Sequence, residues 1–151
     1  MVKLGMTHLW HDIELTTDFL EFQAVIEIPK NSKVKYEIDK EKGVLCVDRI
    51  LYSSVHYPSN YGFLPQTLAD DDDALDVLIL AQEAFVPMSV CKIRPIGVLA
   101  LKDQGKLDDK IIAVCIGDPE FNQYQDLSEL PKHRIKEFQN FFEEYKKLEK
   151  K

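Results

Sequence analysis

Between residues 23 and 117 the apolar residues of this chain fall into short runs near 23–29, 34–39, 44–48, 76–80, 90–102 and 110–117, and this spacing restricts the fold more than any other feature. The runs are rich in Val, Ile and Leu and read as strands. Turn formers stand between them, at Pro29-Lys-Asn-Ser32, Lys42-Gly43, Pro58-Ser-Asn60, Pro87 and Gly105. Strands packed this closely predict a closed or partly closed antiparallel barrel, in a single domain over residues 1–151. From Pro131 the period changes. Ile135, Phe138, Phe141, Phe142, Tyr145 and Leu148 then share one side of a helix expected over 131–150, with Pro131 placed to open it and the aromatic face lying on the barrel.

With 151 residues the chain can bury about two-thirds of its unfolded surface around one core, so it needs no disulfide staples. Cys46, Cys91 and Cys115 lie in apolar runs and are expected to be small buried side chains in a reducing compartment. The first ten residues lack an apolar signal core, and no run is long enough to cross a bilayer, which predicts a cytoplasmic protein without a membrane partner. A formal net charge of −7 argues against nucleic acid, which is bound by basic surfaces.

The densest chemistry lies in Ala69-Asp-Asp-Asp-Asp-Ala-Leu-Asp-Val-Leu-Ile-Leu80. An acidic loop is commonly a solvated turn. Asp76, however, would share a strand face with Leu78 and Leu80, where an unpaired carboxylate is costly to desolvate. A hard divalent cation such as Mg²⁺ takes oxygen ligands, and carboxylates at 71, 73 and 76 can converge on one or two such ions. An EF-hand is excluded, because Val77 stands where that loop needs Gly. Zinc spacing, a phosphate-binding Gly-rich loop and a nucleophile elbow are also lacking. Elsewhere, Glu27 interrupts an apolar run, and Lys35, Glu37 and Asp39 alternate with Val34, Tyr36 and Ile38. Arg49 extends the face of Leu45 and Val47, Tyr57 and Tyr61 sit in a crowded Pro- and Gly-containing turn, and residues 102–110 read as a polar hairpin.

Taken in order, Ile26-Glu-Ile-Pro29, Lys35-Tyr-Glu-Ile-Asp39, Val47-Asp-Arg49, Tyr57-Pro-Ser-Asn-Tyr-Gly62, Asp71-Asp-Asp-Ala-Leu-Asp-Val77, Arg94-Pro-Ile-Gly97 and Phe141-Phe-Glu-Glu-Tyr-Lys146 give the chain a resemblance to the soluble family I inorganic pyrophosphatases, from about residue 24 to 148. The resemblance implies an α+β, mainly β fold: a small five-stranded OB-like barrel with flanking helices. It also implies hydrolysis of pyrophosphate to two phosphates with several Mg²⁺ ions, for which Mn²⁺ can substitute. Asp71, Asp76 and Asp108 would bind the metals that activate water, with Asp76 bridging two. Asp103 would join Asp108 around a further ion, and Glu27 and Glu37 would complete the acidic lining. Lys35, Arg49, Tyr61, Lys110, Tyr145 and Lys146 match positions that hold phosphate oxygens, Tyr57 a site-lining tyrosine, and Asp73 the general base. Lys35, Arg49, Tyr61 and Asp73 are thus the catalytic set.

The chain departs from the family pattern at Asp72, where Gly is frequent, at Ala74, usually Pro, and at Gln104, commonly an acid. Short members of the family are commonly homohexamers, which is the assembly expected here. Two other classes fit such a barrel: a module that binds divalent cations or phosphate without catalysis, and an OB-type binder of single-stranded nucleic acid. The first needs neither Asp73 nor the full cationic set, and the second needs a basic groove with exposed aromatic rings.

Overall fold

The computed structural model describes residues 16–18, 21–65 and 74–149. Among the described residues ten strands and one α-helix follow in chain order: β1 (Thr16–Asp18), β2 (Glu21–Ile28), β3 (Val34–Ile38), β4 (Leu45–Ile50), β5 (Asn60–Leu64), β6 (Leu75–Leu80), β7 (Val90–Leu99), β8 (Lys102–Asp103), β9 (Lys106–Leu107), β10 (Lys110–Cys115) and α1 (Lys132–Glu144). Strands β2, β5, β6, β10 and β7 pair in that order, and β7 pairs back onto β2, so the sheet closes into a five-stranded barrel. Strand β1 adds to the edge of β2, while β3–β4 and β8–β9 are separate two-stranded arms.

Four of the five barrel seams are antiparallel, as the sequence leads one to expect, but β6 and β10 run parallel, with Ile111 opposite Val77 and Val114 opposite Leu80. A parallel pair needs a long crossover, and here all of β7 and the β8–β9 arm lie between the two partners. The long run at 90–102 ends as a strand at Leu99.

Strand β5 is not among the sequence-predicted strands. All five of its residues are buried, so it has no alternation to reveal it. Asn60, fully buried, fastens its start: Oδ1 accepts from Lys30 N at 3.0 Å and Phe85 N at 2.9 Å, and Nδ2 donates to Glu83 O at 2.9 Å. Gly62 is required by the pairing with β2, since a Cβ there would come within 1.9 Å of Val25 O.

The alternation of strand side chains separates the two larger of three apolar clusters. Val77 and Ile79 join Ala24, Ile26, Ile93 and Ala113, while Leu78 and Leu80 join Ile28, Ile112 and Val114 beneath α1. The helix brings Phe138 and Phe141 to this second core, both essentially inaccessible to solvent. Burial of each ring contributes roughly 2–3 kcal/mol. α1 starts directly after Pro131, as expected, but ends at Glu144 rather than continuing to 150. Beyond it the chain forms turns, with Lys147 N donating to Glu144 O and Glu149 N to Lys146 O, and Leu148 is exposed.

The cysteines correct another expectation. Cys46 is exposed, and Cys91 and Cys115 are only half-buried, with their sulfurs 3.4 Å apart. The β3–β4 arm also differs from its predicted apolar face, because Val47 and Ile50 are 63 % and 60 % exposed. Among the described residues no helix is long and apolar enough to cross a membrane.

Candidate active site

Where the parallel seam begins, Asp76 of β6 and Lys110 of β10 stand side by side, one step before the Val77–Ile111 pairing. Both point to the α1 side of the sheet, the face shared by Leu78 and Ile112, as the alternation predicts. Lys110 Nζ donates to Asp76 Oδ2 at 2.6 Å and to Asp108 Oδ1 at 2.9 Å. With its side chain only 4 % exposed, Lys110 would be costly to bury without these partners. Burial works against its charge, but the Asp76 and Asp108 carboxylates overcome that effect and raise its pKa above the ordinary lysine value.

Around this cluster opens a cavity of about 170 Å³, lined by Glu27, Lys35, Glu37, Tyr61, Asp76, Asp103, Asp108, Lys110, Tyr145 and Lys146, together with Tyr36, Ile38, Lys40, Phe63 and Ala74. Ten of the sequence-predicted site residues therefore converge on one opening. They reach it from well-separated parts of the fold. β2 supplies Glu27, the β3–β4 arm Lys35 and Glu37, β5 Tyr61, the β8–β9 arm Asp103, and the turns after α1 Tyr145 and Lys146.

Glu27 is buried in the lining, where its Oε2 accepts from Ile38 N at 2.9 Å and so ties the β3–β4 arm to the barrel. Burial pushes its carboxyl up to about 8 despite that hydrogen bond, with Asp76 and Glu37 adding to the rise. The Tyr61 phenol is held well above its ordinary range by burial and by the adjacent Asp76 carboxylate, so it remains a hydrogen-bond donor. Lys146 Nζ donates to Asp103 Oδ2 at 3.1 Å and lies 5.4 Å from the centre of the Tyr145 ring. Tyr145 in turn stacks on Phe141, with ring centres 5.1 Å apart. Packing of the aromatic stripe thus directs both polar tips to the cavity although the helix has already ended.

Two predicted residues are not part of the lining. Tyr57 is 2 % exposed and wedged between Tyr61 and Phe141, with ring centres 5.4 and 4.6 Å away. Arg49 turns to Asp48 and Glu149. Asp71 and Asp73 lie outside the described residues. Sequence reasoning missed Lys40 in the lining and Glu149 beside Arg49. The position of Lys40, just after the predicted strand at 34–39 that carries Lys35 and Glu37, was the only local signal for the first.

The sequence profile described as inorganic pyrophosphatase matches residues 24–151. The chain belongs to that family. It is 56 % identical over 145 residues to a soluble inorganic pyrophosphatase of Zea mays, covering 95 % of this chain and 68 % of the relative. Soluble inorganic pyrophosphatase 2 of Chlamydomonas reinhardtii is also 56 % identical, over 96 % of this chain and 76 % of its own length. Among solved structures, the inorganic pyrophosphatase of Thermus thermophilus superposes with a TM-score of 0.89 at 35 % identity, covering 93 % of this chain and 80 % of its own. That of Helicobacter pylori does so with 0.87 at 45 % identity, covering 92 % and 83 %.

Pyrophosphatases of this family are metal-dependent enzymes, and the donors around the cavity suit a hard divalent cation. The acidic donors lining it are the carboxylates of Glu27, Glu37, Asp76, Asp103 and Asp108 and tyrosine hydroxyls, all oxygen, and the lining holds no His or Cys. Glu27 is raised because its burial is not balanced by a strong positive partner, the condition a cation relieves. Among the described residues no three acids, histidines or cysteines come close enough together to hold an ion by themselves, and the acidic stretch containing Asp71 and Asp73 is not among them.

Proposed function

We propose that this chain hydrolyses inorganic pyrophosphate to two orthophosphates with Mg²⁺, for which Mn²⁺ can substitute. The observation that carries the reading is the Asp76–Lys110–Asp108 cluster, which lines a cavity that combines acids and cations from distant strands, in a chain of the pyrophosphatase family. Asp71, Asp76, Asp103 and Asp108, with Glu27 and Glu37, would hold the metal ions. When bound, such ions supply a water of lowered pKa and offset phosphate charge.

The chain's own residues do the rest. Asp73 receives the proton of the water that attacks one phosphorus, and the bond from that phosphorus to the bridging oxygen breaks as the second phosphate departs. Lys35, Lys110 and Lys146 offset the charge that grows on the phosphoryl oxygens, while Tyr61 and Tyr145 donate hydrogen bonds without adding charge. Arg49 holds a further phosphate oxygen, and Tyr57 supports Tyr61 from behind. Lys110 is well suited to a dual role. Its ammonium keeps Asp76 and Asp108 in place and still has a third N–H for a phosphate oxygen.

Phosphate release from pyrophosphate, followed with and without Mg²⁺, tests the reading directly. Release is expected only with the metal, and Asp73→Asn should lose about 100-fold or more of the turnover while folding normally. No release from folded, Mg²⁺-supplied protein would overturn it. The same reading makes the enzyme a cytoplasmic homohexamer, and sedimentation at micromolar concentration checks the assembly.

A further inference from the structure

Arg49 is held from two sides. Its Nε donates to Glu149 Oε2 at 2.9 Å, across 100 residues of sequence, and its Nη1 donates to the neighbouring Asp48. Glu149 belongs to the turns that follow α1, yet its side chain is only 7 % exposed, a degree of burial that a carboxylate sustains only when paired. Arg49 itself is 25 % exposed, and its Nη2 has no partner among the described residues. The guanidinium is planar, so fixing Nε and Nη1 also fixes the direction of both Nη2 hydrogens. Arg94 shows the opposite arrangement. It commits Nη2 to the carbonyls of Asn122 and Tyr124 and so fastens a loop.

We propose that Glu149 is a positioning residue for substrate binding, holding the Arg49 fork so that Nη2 is kept for a phosphate oxygen of pyrophosphate. This rests on the reading that Arg49 is a phosphate-holding residue. The contact has a second consequence, because it joins the segment that carries Tyr145 and Lys146 to the arm that carries Lys35 and Arg49. One ion pair thereby links two sides of the cavity.

The test compares Glu149→Ala, Glu149→Gln, Arg49→Lys and the Glu149→Ala, Arg49→Lys double variant. Three readings are taken on each: KM and kcat for pyrophosphate, the Kd for imidodiphosphate (a non-hydrolysable P–N–P analogue), and Tm. In Glu149→Ala, KM and Kd should both rise about fivefold or more while kcat at saturation changes less than about twofold, because a charge-assisted contact to a binding group is lost. Glu149→Gln keeps an acceptor for Nε–H and should recover most of the loss. In the Arg49→Lys background, which lacks the fork, Glu149→Ala should add nothing further to KM. Unchanged KM and Kd in Glu149→Ala, with or without a lower Tm, would overturn the proposal. A fall in KM would do so too, since it would mean that the carboxylate competes with substrate. Wild-type protein that binds imidodiphosphate but releases no phosphate would sink the hydrolysis reading and leave the Kd comparison as the test of Glu149.

Discussion

The Asp76–Lys110–Asp108 cluster and the β3–β4 arm face the same cavity but hold their charges differently. In the cluster the contacts are 2.6 and 2.9 Å, and the lysine is almost fully buried on a closed barrel. On the arm Lys35 is 3.6 Å from Asp48 and 4.0 Å from Glu37, and Glu37 is half exposed. Loose ion pairs in water contribute little to folding, whereas a buried lysine between two carboxylates is part of the framework. The comparison teaches that one half of the site is built with the fold, while the other is carried on it and is available to adapt to a ligand.

The largest effect should come from the built half. Lys110→Met leaves Asp76 and Asp108 beside each other without their cation, and should cost about 2–4 kcal/mol of stability as well as about 100-fold or more in kcat/KM. Lys35→Ala should weaken substrate binding but alter stability by less than about 0.5 kcal/mol. Denaturant midpoints of the two variants decide the matter, and equal losses would erase the distinction.

Glu27 lies on the boundary between the two halves, and its prediction concerns pH. Its carboxyl is raised from 4.5 to about 8 in the folded protein, so the native state binds that proton more tightly than the unfolded chain does. Stability of the metal-free protein should therefore fall as pH rises between these values, by up to about 1.4 kcal/mol per unit, and level off above. The Glu27→Gln variant should lack this component, so the wild-type minus variant difference should become steadily less favourable across the window. Parallel profiles in chelator would show that Glu27 is not kept protonated.

The smallest effect belongs to the β8–β9 arm. Its two-residue turn places Gln104 at φ +52° and Gly105 at φ +81°, a geometry that suits Asn better than Gln at the first position. Gln104→Asn should stabilise the protein by about 0.5 kcal/mol, read from thermal unfolding, without changing KM.

The barrel was legible because its apolar runs are local and bounded by turn residues, and most of the cavity lining followed from ordered motifs rather than from any one residue. Strand β5 was hidden because it is buried on both faces and carries Gly62 for contact with β2, so it resembles a turn. The parallel direction of β6 and β10 and the Arg49–Glu149 pair escaped for a related reason. Both are contacts between distant segments, and nothing in the local pattern of either segment names its partner. Leu148 and Val47 were expected to be covered because they continue an apolar period. The helix stops before the first, and the second lies on an arm with no layer above it.

The parallel seam also bears on when the protein becomes active as it folds. Hairpins such as β3–β4 and β5–β6 join segments near in sequence and can form early, whereas β6–β10 and β2–β7 require distant strands to meet. Asp76 and Lys110 become neighbours only through the β6–β10 seam. A refolding chain should accordingly regain its strand signal before its catalytic signal, and any species that releases phosphate has already formed the parallel seam.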